Sequence, residues 1–262
     1  MTSSPPRRVV SLCPSLTELV FALGRGDRLV GRTRFCHTPA AGVARVPRLG
    51  GTKNPRVERI AALAPDLVLM NEEENRREDA EALQAAGVPL HVSFPRDAAG
   101  TAAMIRSLGA ALDAALAAEA LAADLERRAA AVRARAAARR AAGTAPVRWA
   151  YLIWRRPWMA VRDDTFVSAL LDAAGGENVF AGAAARYPAV DAAALAAAAP
   201  DLVLLASEPF PFTDAHADEL AAESGLPRAR FRLVDGELLS WHGARTAEGA
   251  EYAEQVLTGA GP

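Results

Sequence analysis

The sequence contains only two cysteines, Cys13 and Cys36, in 262 residues. Two cysteines exclude a disulfide scaffold and a four-cysteine zinc site. A basic surplus is also lacking, because 30 Lys and Arg stand against 31 Asp and Glu, and a general nucleic-acid-binding protein would need one. No apolar run approaches the roughly 18 residues of a membrane span. The 51% of hydrophobic and 23% of charged residues are instead typical of a globular protein with a packed core.

The beginning of the sequence also lacks the features of a leader. Residues 1–8 contain two prolines and two arginines, and Ser11, Pro14 and Glu18 interrupt the apolar stretch that follows. A signal peptide needs an uninterrupted apolar run and a small-residue cleavage site. The sequence as written therefore predicts a cytoplasmic protein, and a periplasmic or secreted location would require a true start further upstream.

Short apolar runs alternate with helical patterns in both halves of the sequence. The predicted strands are 9–12, 29–31, 67–70, 90–92, 147–153, 202–205 and 231–234. The predicted helices are 15–23, with Ser15 as N-cap, followed by 57–63, 78–86, 165–174 and 247–257. Strands that alternate with helices favour parallel sheets, so we predict an α/β fold.

Residues 113–141 form a different pattern, because alanine, leucine, glutamate and arginine dominate and there are almost no turn residues. These residue types are the best helix formers, and one helix of this length would be about 40 Å long. Two ordinary surface helices with a short break are the alternative. A single helix would be long enough to connect two separate lobes.

One segment of the sequence occurs twice. Ala-Pro-Asp-Leu-Val-Leu closes residues 58–69 and returns at the end of residues 193–204. The repeat predicts two Rossmann-like lobes built on one plan: an N-terminal α/β lobe at 1–112, an interlobe helix at 113–143 and a C-terminal α/β lobe at 144–262. Ligands of open α/β sheets bind beyond the carboxyl ends of the strands, so we expect a ligand cleft between the lobes.

The loops after the N-terminal strands contain side chains that could bind a metal or a polar ligand. Cys36 and His37 follow one strand, and thiolate and imidazole are ligands for zinc, copper and cobalt. With His242 they could form a mixed metal site. A half-buried cysteine and a solvated histidine are the alternative. Glu73 lies in a charge run after the strand at 67–70, where a solvated helix start is the other interpretation.

The loops after the C-terminal strands combine aromatic rings with charged groups. A tryptophan offers a flat apolar face, and an arginine offers a planar fork of donors for carboxylate or carbonyl groups. Core packing of the aromatic rings and solvation of the arginines are the alternatives. The candidate ligand contacts in these loops are Arg156, Trp158, Glu208, Phe210, Trp241, His242 and Arg245.

Several short motifs, in this order and spacing, resemble a known family. They are Arg8-Val-Val-Ser-Leu, Pro14-Ser-Leu-Thr-Glu18, Asp27-Arg-Leu-Val-Gly31, Ala64-Pro-Asp-Leu-Val68 and Gly175-Gly-Glu-Asn-Val-Phe180. Over nearly its whole length the chain resembles the class III substrate-binding proteins, also called helical-backbone metal receptors. The resemblance implies two Rossmann-like lobes joined by one rigid helix. It also implies capture of cobalamin, haem, siderophores or metal ions for ABC importers.

Within that family the sequence looks most like the cobalamin binders. The resemblance implies that aromatic side chains at Trp158, Tyr187 and Trp241 pack against a corrin ring, and that Glu58 is an acidic contact to the importer. The matching position in the second lobe is Ala193, with Asp191 two residues earlier, so the second lobe departs from the family pattern.

These observations predict non-catalytic binding of a corrinoid, such as cobalamin, or a related metal chelate. Direct binding of a bare ion such as zinc by Cys36, His37, His242 and a carboxylate is one alternative, and a cytoplasmic small-molecule enzyme is the other. Dinucleotide, phosphate-loop and nucleophile-elbow motifs are all lacking, which argues against an enzyme. The resemblance implies an ABC importer as partner, but a cytoplasmic protein could not deliver a ligand to an importer from outside. Neither nucleic acid binding nor membrane insertion is expected.

Overall fold

In the computed structural model, which describes residues 5–259, the chain divides into two units, each with its own sheet. The first unit comprises the chain through Pro95, Ala99–Leu125 and the short segment His242–Ala244. The second comprises Arg96–Ala98, Glu126–Trp241 and the chain from Arg245 onwards. The predicted division at residues 112 and 143 stays a prediction, since the division into units falls within one helix.

The sheet of the first unit has four parallel strands in the order β2-β1-β3-β4. They are β1 (Val9–Ser11), β2 (Leu29–Arg32), β3 (Leu67–Asn71) and β4 (Leu90–Ser93). β3 is buried along its whole length, because it lies inside the sheet and helices cover its faces. All four strands run the same way, so the residues after Ser11, Arg32, Asn71 and Ser93 are at one edge.

Six helices precede the second sheet. They are α1 (Pro14–Ala22), α2 (Ala40–Val43), α3 (Val57–Ala62), α4 (Arg77–Ala85), α5 (Ala98–Ala111) and α6 (Ala115–Ala141). α1 begins with Cys13 as N-cap and Pro14 in its first turn, so the predicted N-cap role of Ser15 is wrong. Proline fits the first turn because its missing N–H has no helical partner there. Ser15 instead lies inside the helix, where its hydroxyl takes part in a buried network.

α6 is the long helix that the sequence predicts. Its 27 residues correspond to about 40 Å, and it contributes residues through Leu125 to the first unit and from Glu126 to the second. Within the second unit its guanidinium groups pair with glutamates of the C-terminal helix, as in the 2.6 Å contact between Arg139 Nη1 and Glu254 Oε1. Among residues 5–259, no helix combines the length and the apolar character that crossing a membrane requires.

The second sheet is mixed, with strand order β10-β9-β5-β6-β8, and β7 also pairs with β5. Its strands are β5 (Val147–Trp154), β6 (Trp158–Ala160), β7 (Gly176–Asn178), β8 (Ala189–Val190), β9 (Leu202–Ala206) and β10 (Phe231–Val234). The helices are α7 (Phe166–Ala173), α8 (Ala192–Ala198), α9 (Asp214–Ser224), α10 (Gly236–Ser240) and α11 (Thr246–Thr258). β6 and β8 are antiparallel, whereas β5, β9 and β10 are parallel.

The repeated segment folds in the same way twice, as α3–β3 and as α8–β9. The alanines before the two Pro-Asp pairs, Ala64 and Ala199, both adopt a positive φ, of 43° and 46°. Both aspartates then accept a main-chain N–H beside the neighbouring strand: Asp66 from Arg8 at 2.8 Å and Asp201 from Arg148 at 2.9 Å. The predicted α/β fold with two lobes and one long helix is therefore confirmed, and the cleft between the lobes stays a prediction.

Candidate functional site

Two buried asparagines order the carboxyl edge of the first sheet. The Asn71 amide donates to the Ser93 carbonyl at 2.9 Å, and its Oδ1 accepts the N–H groups of Glu73 and Glu74 at 3.0 and 3.1 Å. Asn75 donates to the carbonyl of Leu12 at 3.0 Å and its Oδ1 accepts the Asn71 N–H at 2.9 Å. The turn after β3 is thus fixed to the ends of β1 and β4, and the orientation of both amides is determined.

His242 completes this buried network in the first unit. Its Nε2 is 3.2 Å from Asn71 Nδ2 and 3.4 Å from Ser15 Oγ. Because the Asn71 amide must donate, His242 Nε2 accepts, and the ring proton of the neutral imidazole is on Nδ1. Burial lowers the pKa of His242 to about 4, although the nearby Glu73 carboxylate opposes the shift. His242 is therefore a neutral structural acceptor at neutral pH.

The predicted metal ligands do not form a metal site. Cys36 is fully buried, its Sγ is 3.1 Å from Thr33 Oγ1, and burial raises the pKa of its thiol. His37 is exposed, with Nδ1 3.1 Å from Thr38 Oγ1. Within the part of the chain that the structure describes, no three His, Cys, Asp or Glu side chains are grouped so that they could hold a metal ion. The structure therefore does not bring Cys36, His37 and His242 together as ligands.

One aromatic ring of the first unit is exposed at the same edge of the sheet. Phe35 follows β2 and is 46% exposed, and the Arg34 guanidinium lies 4.7 Å from its ring centroid. Phe35 was not among the ligand contacts predicted from the sequence, because the prediction for this loop was metal or ligand binding by its polar neighbours Cys36 and His37. An aromatic residue just after a strand end was the signal. Glu73 is half-buried at this edge, beside Lys53, which donates to its carbonyl.

An aromatic cluster of five rings lies at the carboxyl ends of β5 and β9. It consists of Trp154, Trp158, Phe210, Phe212 and His216. Trp154 meets Phe210 edge to face at 5.7 Å, and Trp158 stacks on Phe212 at 6.0 Å. Phe210 and Phe212 are 4.8 Å apart, and His216 packs against both. The structure thus brings the predicted Trp158 and Phe210 together, and adds Trp154, which is 43% exposed.

Charged side chains lie beside Trp158 in this aromatic cluster. The Arg155 guanidinium is 5.6 Å from the Trp158 ring and pairs with Glu219, which lies on α9. Arg156 is exposed on the turn between β5 and β6. The Trp158 indole N–H donates to Glu223 at 3.3 Å. The apolar faces and the charged groups of this turn therefore lie side by side.

The remaining candidates of the second unit already have intramolecular partners. Trp241 is only 6% exposed, and the Arg245 guanidinium lies 4.7 Å from its ring while pairing with Glu237 at 2.8 Å. Glu208 accepts the Ser240 hydroxyl at 2.9 Å. Tyr187 is half-buried, with the Arg186 guanidinium 5.8 Å from its ring. Their roles as ligand contacts stay predictions, and Trp241 offers little free surface.

Comparisons with known proteins match most of the chain. The family described as periplasmic binding protein matches residues 9–229. A vitamin B12-binding protein of Vibrio parahaemolyticus is 31% identical over 190 residues, which are 72% of this chain and 67% of that protein. One of Pectobacterium atrosepticum is 26% identical over 185 residues, 71% of this chain and 66% of that protein. The matched part spans about two thirds of the length of these relatives.

Solved structures of similar proteins share the fold over nearly the whole chain. A periplasmic haem-binding protein from Roseiflexus sp. RS-1 is 27% identical, with a TM-score of 0.81 over 96% of this chain and 99% of that one. A periplasmic vitamin B12 binding protein of Vibrio cholerae has a TM-score of 0.83 at 21% identity, over 97% of both chains. At that identity the second likeness bears on the fold alone.

The expectation of a cytoplasmic protein is wrong. The matching family is described as periplasmic, and so are both of these solved structures. The expectation was based only on the composition of the first residues of the sequence as written. Where a given sequence begins does not determine the compartment in which the protein works.

Proposed function

The chain belongs to the periplasmic binding protein family, and from that premise we propose that it binds a corrinoid of the vitamin B12 type without changing it chemically. The proposal is supported by the relatives of 26–31% identity that are named for vitamin B12 binding. It also rests on one observation in the structure, the position of the exposed aromatic rings.

Five large hydrophobic side chains are exposed in the described part of the chain: Phe35, Val92, Leu116, Trp154 and Leu233. The two aromatic ones, Phe35 and Trp154, both lie at the carboxyl end of a parallel strand, where ligands of α/β sheets bind. Flat rings give a flat macrocycle a large apolar contact area at little conformational cost. Each unit therefore presents one aromatic surface suited to a planar chelate.

The polar surroundings suit the rim of a corrinoid. Its side-chain amides have carbonyl oxygens that accept hydrogen bonds from guanidinium groups, and Arg34 and Arg156 are exposed next to the two aromatic surfaces. The cobalt of vitamin B12 arrives with its own axial ligands, so the protein need not supply any. Binding of a corrinoid therefore does not depend on a group of three or more metal-binding side chains, and none is found among the described residues.

Haem is the second candidate, because solved structures 27% and 28% identical to this chain are described as haem-binding. A haem carries two carboxylates, which would pair with the same arginines. Protein-bound haem iron usually has a histidine, tyrosine, cysteine or methionine ligand. Side chains of these types include the exposed His37, the half-buried Tyr187 and His216 of the aromatic cluster.

A titration separates these ligands. The purified protein is titrated with cyanocobalamin, cobinamide, haem and zinc, followed by calorimetry and the visible spectrum. We expect saturable corrinoid binding at about micromolar affinity or tighter, near −8 kcal/mol, and weaker binding of the others. Tight haem binding without corrinoid binding would establish the second candidate. Stoichiometric zinc, or turnover of a small molecule, would contradict both.

We further propose that the loaded protein delivers its ligand to an ABC importer through Glu58. Glu58 is exposed in α3, whereas the matching position of the second unit is Ala193, and the nearby Asp191 is the N-cap of α8, where it accepts the Ala194 N–H at 2.7 Å. Glu58→Arg should lower importer-dependent uptake by about tenfold or more and leave corrinoid affinity unchanged, since charge reversal places like charges together at the contact.

The control for Glu58 is Glu177→Arg, which makes the same charge change at another exposed glutamate, on β7. Uptake by this variant should match the wild type. Equal losses in the two variants would mean that net charge, rather than a contact at Glu58, controls docking.

A further inference from the structure

We propose that the buried guanidinium of Arg32 is a positioning residue for ligand binding, because it holds the turn of residues 33–36 so that the Phe35 ring faces the ligand in one orientation. This inference rests on the proposed function, in which Phe35 is an aromatic contact. Arg32 itself would touch no ligand.

Arg32 is an arginine whose partners are main-chain carbonyls. It ends β2 and is 4% exposed. Its Nε donates to the Val43 carbonyl at 3.0 Å, and its Nη1 donates to the carbonyls of Thr33 and Cys36 at 3.1 and 2.8 Å. Burying a cation carries a desolvation penalty that only good hydrogen bonds offset. Burial and the neighbouring Arg48 accordingly lower the pKa of this guanidinium.

The three acceptors show what the guanidinium does. Thr33 and Cys36 are the first and last residues of the turn, so a single Nη1 group ties both of its ends together. Within the turn, the Thr33 hydroxyl oxygen accepts the Phe35 N–H at 3.3 Å and is 3.1 Å from Cys36 Sγ. The bond to Val43 fixes the turn to the end of α2. The backbone on both sides of Phe35 is therefore held.

The ring of Phe35 also packs against the main chain at Gly51. A Cβ atom at Gly51 would come within 3.3 Å of the ring, so the glycine lets the ring lie against the main chain. The guanidinium of Arg34 lies over the ring, with its central carbon 4.7 Å from the ring centroid. A ring that is ordered before binding loses less conformational freedom when the ligand arrives. The buried Cys36 also contributes to the turn, through its carbonyl to Arg32 and its Sγ to Thr33.

A double-mutant cycle tests the inference. Arg32→Met keeps a long apolar side chain and removes the donors, and it should raise the dissociation constant for cyanocobalamin about tenfold. Phe35→Ala should weaken binding by at least as much. The double variant should bind no more weakly than Phe35→Ala alone, because Arg32 acts through the ring. If the two losses add fully, Arg32 does not act through Phe35 and the proposal is overturned.

A readout without ligand separates the turn from the proposed function. Chymotrypsin should cut after Phe35 in the ligand-free Arg32→Met variant at least fivefold faster than in the wild type, with Arg32→Lys in between. The matched control is Arg25→Met, which also removes guanidinium bonds to three main-chain carbonyls of this unit, those of Leu112, Gly24 and Asp113. This control should leave cleavage at Phe35 unchanged.

The outcomes are distinct. Unchanged cleavage in both Arg32 variants overturns the positioning role, even if the wild type binds cyanocobalamin. If the wild type binds neither cyanocobalamin nor haem, the proposed function fails, and the positioning of Phe35 for a ligand falls with it whatever the cleavage shows. If Arg32→Met does not fold, Arg32→Lys carries both measurements, because it keeps the charge and loses the fork.

Discussion

Replacing Trp154 with alanine should raise the dissociation constant for cyanocobalamin about 10- to 100-fold. Trp154 is the exposed member of the aromatic cluster, and Phe210 supports it edge to face at 5.7 Å. Large aromatic side chains that pack on a supported, rigid surface dominate binding energies, with losses of about 1.4–2.7 kcal/mol or more on truncation. Calorimetric titration of wild type and variant under the same conditions measures the change.

The control for Trp154 is Leu233→Ala. Leu233 lies on β10 of the same unit and is 44% exposed, almost the same fraction as the 43% of Trp154. Removing it takes away a similarly exposed apolar side chain that is not part of the aromatic cluster, so affinity should stay within about twofold, since exposed apolar side chains outside an interface contribute little. Equal losses would indicate a general effect on the unit, and unaltered binding by Trp154→Ala would remove this ring from the proposed site.

The strands and the long helix could be predicted because their signals are local. β3 and β9 are short apolar runs that follow the same Pro-Asp turn, and α6 is a continuous run of strong helix formers. β6 and β8 could not be predicted in this way, since strands of three and two residues are too short to show a period. Their antiparallel pairing depends on contacts with β5 and with each other.

The site was harder to predict because it depends on exposure and on distant partners. The place of Phe35 after a strand end was a signal in the sequence, but only the structure shows that the rings of Phe35 and Trp154 are exposed whereas the ring of Trp241 is buried. The hydrogen bond of His242 to Asn71 joins residues 171 positions apart. No spacing in the sequence reveals that this histidine is an acceptor in a buried network rather than a metal ligand.

Lowering the pH from about 6.5 towards 4 should weaken the fold through His242. In the unfolded chain the imidazole takes up a proton near pH 6.5. In the folded protein its pKa is about 4, so it takes up a proton only near pH 4. Between these values the unfolded state binds more protons, so acid favours unfolding. Above about pH 6.5 this histidine leaves the free energy of unfolding unchanged. As the pH approaches 4, it lowers the free energy of unfolding by about 3 kcal/mol.

The test compares urea unfolding of the wild type and His242→Gln between pH 4.5 and 7.5. Asp172, whose pKa is raised to about 6 mainly by desolvation, has the opposite pH dependence over this range, so the difference between the two proteins isolates the histidine. Glutamine cannot titrate. At pH 7.5 the variant should be less stable than the wild type, because the buried network is disturbed. Near pH 4.5 the difference in the free energy of unfolding should narrow or reverse, because only the wild type is destabilised by protonation of the histidine.

A second histidine provides the control for this pH dependence. Burial also lowers the pKa of His91, whose Nε2 lies 3.1 Å from Ser107 Oγ. His91 is only half-buried, so His91→Gln should change the pH dependence less than His242→Gln does. If the stability gap between wild type and His242→Gln is the same at every pH, His242 does not titrate on unfolding. The assignment of a buried imidazole whose pKa is held near 4 would then be wrong.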